Sequence, residues 1–405
     1  MSFDTALEFY LFIMACNRGS GLSVPNTARL LKFLHAQGLD LSRITDWHSK
    51  TAALKYGRSI GLSGRTYMVR EVHIEGWPRP FYVRFTSPIQ ALRGLFGDQS
   101  NSSGFQLWAT PQIDASGNLL FTTPSTASFW MEAQAHVPDD EVICPVILAS
   151  DQTTLDGTMR TRIWPLYIST ANIPWHRRWH DAGKLLLAIL PEPNKHMLPM
   201  QKVELFQKSL GIVLHELHRA SKNPVDMVDP WGVSRKVRPL LYAYIGDYPE
   251  TCRVSCTLSL KSSKPCSLCY ISRKRLRQTD TRGVHLRTVA GQSKLLRSER
   301  EAHQYSTIPI LSALWEINFS EEPWGNTYLS MMPDILHVFY LGVWKHLVTV
   351  LISDKDIAKI YEERYLRMYP DAHLAGLPAP IPGKYFISSA SYTGAEHSGM
   401  MLSLS

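Results

Sequence analysis

The chain lacks both a membrane-length apolar run and a recognisable secretion signal. No uninterrupted apolar stretch in its 405 residues approaches the ~20 residues that a membrane-spanning helix needs. Asp4 and Glu8 interrupt the apolar N-terminus and no basic region precedes them, so this segment predicts a helix rather than a signal peptide. Charged residues at 19% and aromatic residues at 10% are typical of globular proteins. We therefore expect a soluble protein with two or three domains.

Acidic residues are fewer than basic ones, and the imbalance is concentrated in one segment. The chain has 43 Lys and Arg against 35 Asp and Glu, a net charge of +8. Residues 261–300 alone hold eleven basic side chains against two acidic ones. Such a segment suits a phosphate backbone, whereas a solvated loop or a nuclear localisation run at Arg273-Lys274-Arg275 is the alternative. The residues that we assign to phosphate contact are Lys261, Lys264, Arg273, Lys274, Arg275 and Arg277.

Cysteine is sparse, and four of the six cysteines lie close together in the sequence. They are Cys252, Cys256, Cys266 and Cys269. Without a secretion signal, clustered thiols favour a metal site over disulfides. The C-x-x-C pair fits one edge of a tetrahedral zinc site, and the first two cysteines have a spacing suited to the other edge. His285 or His303 would complete the set if the first two cysteines do not, and buried free thiols are the remaining alternative. A four-ligand zinc would be structural.

Two aspartates each follow a short apolar run. Asp151 follows the run at 142–148, and Asp247 follows the run at 240–245, 96 residues further along the chain. A carboxylate at the end of a buried strand is costly unless it is exposed or paired with a cation. Oxygen ligands of this kind hold hard divalent ions such as Mg²⁺, and paired ions promote in-line displacement at phosphorus. The alternatives are a strand-end cap at Asp151 and a turn before Pro249 at Asp247.

The order of apolar segments predicts a mixed α/β fold. Strand-length runs at 142–149, 163–169 and 185–190 precede an amphipathic helix, and a fourth strand at 239–246 follows it. The apolar stripe of this helix comprises Phe206, Leu210, Val213, Leu214 and Leu217. Three strands, a helix and a strand, with acids after the first and fourth strands, is the order of an RNase H-like half-domain. We expect such a core with a mixed sheet, a smaller α+β region before it and a helical segment after it, opened by Pro333.

These patterns divide the chain into five predicted regions. They are an N-terminal α+β region at 1–136, an RNase H-like core half at 137–260, a zinc-binding and basic insertion at 261–303, a helical region at 304–376, and a linker and tail at 377–405. Within the first region, 28–41 has helical spacing, 67–85 alternates as strands do, and a short hairpin is expected near 119–121. The proline-rich stretch 377–383 is typical of a linker.

Several local motifs occur in a fixed order along the chain. They are SDQTTL at 150–155, WPLYISTANIP at 164–174, DYPE at 247–250, CSLC at 266–269, PDILH at 333–337 and GVWKHLV at 342–348. In these motifs the sequence resembles the Plavaka-type transposases of fungal CACTA (EnSpm-like) DNA transposons, across most of residues 85–352. Single motifs of this length are common, but this many in one order are specific.

The resemblance implies Mg²⁺-dependent or Mn²⁺-dependent cleavage and transfer of DNA strands at transposon ends. In the family, the aspartates that match Asp151 and Asp247 are the first two catalytic acids. The D-x-x-H pair that matches Asp334 and His337 opens a helix, and we expect it to support the acids or the metal. The basic segment would hold the DNA backbone without reading bases. The expected partner is the terminal repeats, with homo-oligomers on DNA left open, and the expected compartment is the nucleus.

The chain also departs from the family pattern. The third catalytic acid of the family, a glutamate, usually lies beyond a helical insertion, and we do not assign it to the TGAE stretch at 393–396. An N-terminal zinc finger common in relatives is absent too, so we expect a truncated gene copy. The alternative function is a catalytically dead, transposon-derived DNA-binding protein folded around structural zinc. His176 and His180 have a metal-like spacing, but a phosphate-contacting loop and solvated histidines are alternatives.

Overall fold

The computed structural model describes residues 68–154, 162–178, 183–278, 280, 282–315, 317–318, 323–351, 353–360, 363–364 and 367. The predicted helix at 28–41, His180, the linker at 377–383 and the TGAE stretch at 393–396 lie outside the described residues. The chain divides into two compact units, the first with residues 1–245 and 250–331 and the second with residues 246–249 and 332–405.

A mixed sheet forms the centre of the first unit. The strands of the chain are β1 (Met68–Val72), β2 (Phe81–Phe85), β3 (Gln112–Ile113), β4 (Leu119–Leu120), β5 (Glu141–Ser150), β6 (Thr153–Thr154), β7 (Arg162–Thr170), β8 (Lys184–Leu190), β9 (Val225–Val228), β10 (Ser234–Gly246) and β11 (Met331–Pro333). In the sheet, β1, β2, β8, β7, β5 and β10 lie side by side in this order, while β6 pairs with β7 and β9 with β10. β5 and β10 are parallel, whereas β1–β2, β2–β8, β8–β7 and β7–β5 are antiparallel. The predicted mixed α/β fold is confirmed.

The strands form where the sequence has continuous apolar runs. β5, β7, β8 and β10 coincide with the four predicted strands, which are therefore confirmed. β5 is buried along almost its whole length, as expected for a central strand covered on both faces. Nearer the N-terminus, β1 and β2 form the predicted alternating pair, and β3 and β4 form the hairpin predicted near Leu119.

One long amphipathic helix covers the sheet. The helices are α1 (Pro88–Phe96), α2 (Ser128–Ala135), α3 (Trp175–Arg178), α4 (Pro199–Lys222), α5 (Tyr248–Val254), α6 (Val289–Leu295), α7 (Glu299–Gln304), α8 (Ile335–Trp344) and α9 (Lys345–Leu351). The predicted stripe of α4 is buried in the same hydrophobic core as β5, β7 and β10, so that prediction is confirmed. Pro199 lies in the first turn of α4, where its missing N–H costs no hydrogen bond within the helix. Asn223, which precedes Pro224, is the C-cap of α4.

The described residues between 255 and 330 contain little regular structure and are held by short contacts between loops. Thr257 forms an isolated antiparallel bridge with Thr307, and Cys269 forms another with Leu286. The short helices α6 and α7 are capped by Thr288 and Ser298, whose hydroxyls accept hydrogen bonds from the first turn of each helix. These contacts join the two ends of the predicted basic insertion.

In the second unit, the final predicted helix begins later than expected. Pro333 ends β11, and Asp334 is the N-cap of α8, which has the wide turns of a π-helix. The prediction that Pro333 opens the helix is therefore wrong, because the Asp334 side chain accepts the first free amide and fixes the start at Ile335. Apolar side chains of α8 and α9 are exposed, with Val343 at 62% and Val350 at 70%. Within the described part of the chain, no helix combines the length and the apolar character that crossing a bilayer requires.

Candidate acidic site at the strand ends

The strands that precede the two candidate acids are parallel neighbours. Ile245 of β10 pairs with Ala149 of β5, so Asp247 and Asp151 each lie two residues beyond a paired position. Asp151 is exposed and Asp247 is half-buried. In open α/β sheets, ligands bind outside the carboxyl ends of the strands, which is where the chain continues into both aspartates. The two strands that precede the aspartates are therefore neighbours in one sheet.

A buried carboxylate follows the second acid by three residues. Glu250, in α5, is 3% exposed. Its Oε1 accepts hydrogen bonds from Ser150 Oγ and from Trp164 Nε1, the latter at 2.9 Å. Its Oε2 accepts a hydrogen bond from Arg253 Nη1 at 3.0 Å. Burial of a charged carboxylate is tolerable only with such partners, so β5, β7 and α5 are joined through this one side chain.

Two further contacts complete the network around Glu250. Tyr244 OH lies 2.6 Å from Ser150 Oγ, and burial, with a further contribution from Glu250, raises the pKa of Tyr244 well above its usual 10.0. Tyr244 therefore stays protonated and donates to Ser150 Oγ, because the single serine hydrogen is directed to Glu250. The Arg253 guanidinium lies 4.4 Å from the centroid of the Trp164 ring. All of these groups belong to the first unit.

The predicted Asp334 and His337 pair is formed in the second unit. His337 Nδ1 contacts the Asp334 carboxylate, and the same carboxylate accepts a hydrogen bond from Leu336 N at 2.9 Å. The backbone N–H of Asp334 donates to the Gly246 carbonyl at 3.1 Å. The D-x-x-H pair therefore begins beside the residue that precedes Asp247.

The C-x-x-C pair forms a tight turn. The backbone N–H of Leu268 donates to Cys266 Sγ at 3.4 Å. The Cys269 thiol adjoins Cys266, and burial together with this neighbour raises the pKa of Cys269. The structure therefore brings these two predicted ligands together.

The other two predicted zinc ligands lie around the end of α5. Cys252 and Cys256 are both buried, and burial raises the pKa of Cys256. Cys256 also has a positive φ of 53°, a conformation that costs a non-glycine residue about 1–2 kcal/mol. His285 and His303 are exposed. Among the residues that the structure describes, no group of three or more His, Cys, Asp or Glu side chains is arranged to hold a metal ion. The zinc set stays a prediction.

The basic segment presents most, but not all, of its charge to solvent. Four of the residues assigned to phosphate contact are exposed, and they are Lys261, Arg273, Lys274 and Arg277. Lys264 is half-buried, with its Nζ 3.8 Å from the Tyr305 ring centroid. Arg275 is also half-buried and donates to the carbonyl groups of Asp280 and Arg282. These two cations are therefore engaged in holding their own loop.

Arg287, which the sequence count included among the basic side chains, is fully buried. Its Nε and Nη2 donate to the carbonyl groups of Cys266 and Lys264, each at 2.8 Å. Its Nη1 donates to the Tyr305 carbonyl at 3.2 Å and to Thr307 Oγ1 at 3.3 Å. Arg287 is therefore a structural clamp of the Cys266–Cys269 loop and does not belong to the surface charge.

Of the two histidines with metal-like spacing, His176 is exposed on α3, and His180 lies outside the described residues.

Comparison with known proteins assigns the chain to a class of DNA-mobilising proteins. Residues 60–351 match a transposase family model, which covers more than half of the chain. That model describes the Plavaka transposase, and the chain belongs to the Plavaka transposase family. No curated protein matches the chain. Membership of a transposase family also suggests that the chain binds DNA.

Proposed function

We propose that this chain is an RNase H-like transposase catalytic region of the CACTA (EnSpm-like) group. In this proposal, Asp151 and Asp247 bind Mg²⁺ or Mn²⁺ for cleavage and transfer of DNA strands at transposon ends. The observation that carries the proposal is the parallel pairing of β5 with β10, because both strands continue directly into an aspartate. Family membership supports the reaction class.

The chemistry of the donors suits a hard divalent cation. Carboxylate oxygens are preferred ligands of Mg²⁺, and Asp151 and Asp247 are each at least partly accessible. Glu250 is not assigned as a ligand, because both of its oxygens accept hydrogen bonds inside the protein. A bound Mg²⁺ would supply charge neutralisation and Lewis acidity toward a phosphate oxygen. The contribution of the chain is to hold the two carboxylates in fixed positions, since small displacements of such groups cost rate steeply.

Phosphate contact is proposed for the exposed cations of the basic segment. Lys261, Arg273, Lys274 and Arg277 are accessible and can neutralise backbone phosphates, and the half-buried Lys264 and Arg275 would contribute less. Contacts of this type position DNA without reading its sequence. A nuclear location, binding to terminal repeats and homo-oligomers on DNA follow from this proposal.

We also propose a structural Zn²⁺ at the C-x-x-C turn. Two observations support it: the Cys266 and Cys269 thiols adjoin each other, and an amide donates to Cys266 Sγ. Cys252 and Cys256, or His285 or His303, would provide the other ligands. Metal analysis of the purified chain tests this proposal, with about one Zn²⁺ per chain expected and its loss expected in Cys266→Ser.

The proposed reaction is tested by nicking of supercoiled plasmid DNA in the presence of Mg²⁺ or Mn²⁺. Asp151→Asn and Asp247→Asn should each lower nicking by orders of magnitude, because either change removes a ligand carboxylate. Asp140→Asn is the matched control. Asp140 is an exposed acid that precedes the other end of β5 and pairs with Lys236 at 2.8 Å. Nicking should be unchanged in this variant.

Two results of the same assay would contradict the proposal. Nicking that survives in both aspartate variants would show that these carboxylates are not the catalytic acids. DNA binding without any metal-dependent nicking would favour the alternative, a non-catalytic DNA-binding protein folded around zinc.

A further inference from the structure

Glu250 is hydrogen-bonded to the end of the strand from which Asp151 extends. It lies on α5, three residues after Asp247, and it accepts a hydrogen bond from Ser150, the residue before Asp151. Displacement of Glu250 would therefore release the end of β5 that leads into Asp151. Hydrogen bonds from Trp164 and Arg253 to its two oxygens fix the orientation of the carboxylate.

The network is more elaborate than stability alone requires. An apolar side chain of similar size at a buried position often stabilises a protein as well as a buried ion pair does. Here a buried carboxylate has three donors, and Tyr244 orients the serine that provides one of them. Such chains of hydrogen bonds define one orientation of each group, as the partners of metal-ligating side chains do.

We propose that Glu250 is a positioning residue that holds the end of β5 in the geometry with which Asp151 binds divalent cations. This inference rests on the proposed function of the two aspartates. Glu250 itself does not touch the metal or the DNA. Its effect is transmitted through Ser150 to Asp151.

The test is the affinity of the full chain for Mn²⁺, followed by electron paramagnetic resonance of the free ion. Glu250→Gln keeps the size of the side chain but removes its charge, and its NH₂ group replaces one of the two oxygens that now accept from Arg253 and from Trp164. We expect Mn²⁺ to bind this variant about 10–100-fold more weakly, the usual effect of losing a group that orients metal ligands. Partial recovery of nicking at raised Mn²⁺ should accompany the weaker binding.

Glu141→Gln is the matched control for a change in stability. Glu141 is also buried and paired with an arginine, Arg238, but it begins β5 at the end opposite Ser150. This variant should lose comparable stability and bind Mn²⁺ as the wild type does. Equal weakening in Glu141→Gln and Glu250→Gln would overturn the inference, because the effect would then be general destabilisation.

The remaining outcomes separate this inference from the proposed function. If Asp151→Asn abolishes Mn²⁺ binding while Glu250→Gln binds as the wild type does, the positioning role is wrong and the function stands. If Asp151→Asn binds Mn²⁺ as tightly as the wild type, the proposed function itself fails. If Glu250→Gln does not fold, Trp164→Phe removes one donor to Glu250 and keeps an aromatic ring in the core. About tenfold weaker binding is then expected, and unchanged binding would overturn the inference.

Discussion

The buried Arg287 predicts that one side chain holds the C-x-x-C loop in place. Arg287→Met keeps much of the length of the side chain but removes every donor. The carbonyl groups of Lys264, Cys266 and Tyr305 then lose a charged hydrogen-bond partner. A buried polar group left without a partner costs about 1–3 kcal/mol. Because neighbouring losses are not additive, we expect the variant to be destabilised by about 3–5 kcal/mol in total.

A loss of this size is a large share of the stability of a typical domain, about 5–15 kcal/mol. The loss of stability should appear first as local opening around the bridge between Cys269 and Leu286, next to Arg287. The assay is urea unfolding of both proteins, combined with hydrogen exchange of the Arg287 amide, which donates to the Leu268 carbonyl at 2.8 Å. Arg297→Met, at an exposed position in the same segment, is the control.

Exposed substitutions of this kind change stability by no more than about 0.5 kcal/mol. If Arg287→Met is no less stable than Arg297→Met, and the amide exchanges at the same rate in both variants, Arg287 does not clamp the loop. Unfolding of the whole chain in one step, without earlier opening of the loop, would show that the clamp is part of a larger cooperative unit.

Three further predictions concern a buried ion pair, a buried thiol and the DNA surface. Arg238→Met leaves the carboxylate of Glu141 buried without the Arg238 partner that lies 2.7 Å away, and urea unfolding should show a loss of about 3–5 kcal/mol. Burial raises the pKa of Cys144 from 9.0 to about 12, so the unfolded chain ionises first as the pH rises. The contribution of the protonated thiol to the free energy of unfolding is fully present below pH 9 and is lost as the pH rises towards 12. Over this range the urea midpoint of a Cys144→Ala variant should therefore fall less than that of the wild type. Replacing Lys274 and Arg277 by alanine should reduce the slope of the logarithm of the DNA-binding constant against the logarithm of the salt concentration by about 1 for each residue. Fluorescence anisotropy at several salt concentrations measures this slope.

The positions of the central strands could be predicted from the sequence, because each strand is marked by its own run of apolar residues. The apolar runs around Val146 and Leu241 are buried on both faces of central strands, so hydrophobicity alone locates them. The stripe of α4 likewise repeats with the helical period and is buried. The parallel pairing of β5 with β10 joins residues about 95 positions apart, and the predicted order of elements did not specify it.

Buried polar groups were not predictable in the same way. Arg287 was counted as surface charge, because its partners are backbone carbonyl groups that lie far apart in the sequence. Glu250 was noted only as part of a motif, although the i, i+3 spacing to Arg253 was a visible signal of an ion pair. The start of α8 was misplaced because Asp334 caps the helix after Pro333. The four zinc ligands, the phosphate contacts and the five regional boundaries remain predictions.

The most direct test of the account is a crystal of the full chain soaked in Mn²⁺, with the ion located by its anomalous scattering. We predict a peak within about 2.2 Å of carboxylate oxygens from both Asp151 and Asp247. A peak bound by only one of these side chains, or by neither at saturating Mn²⁺, would contradict it.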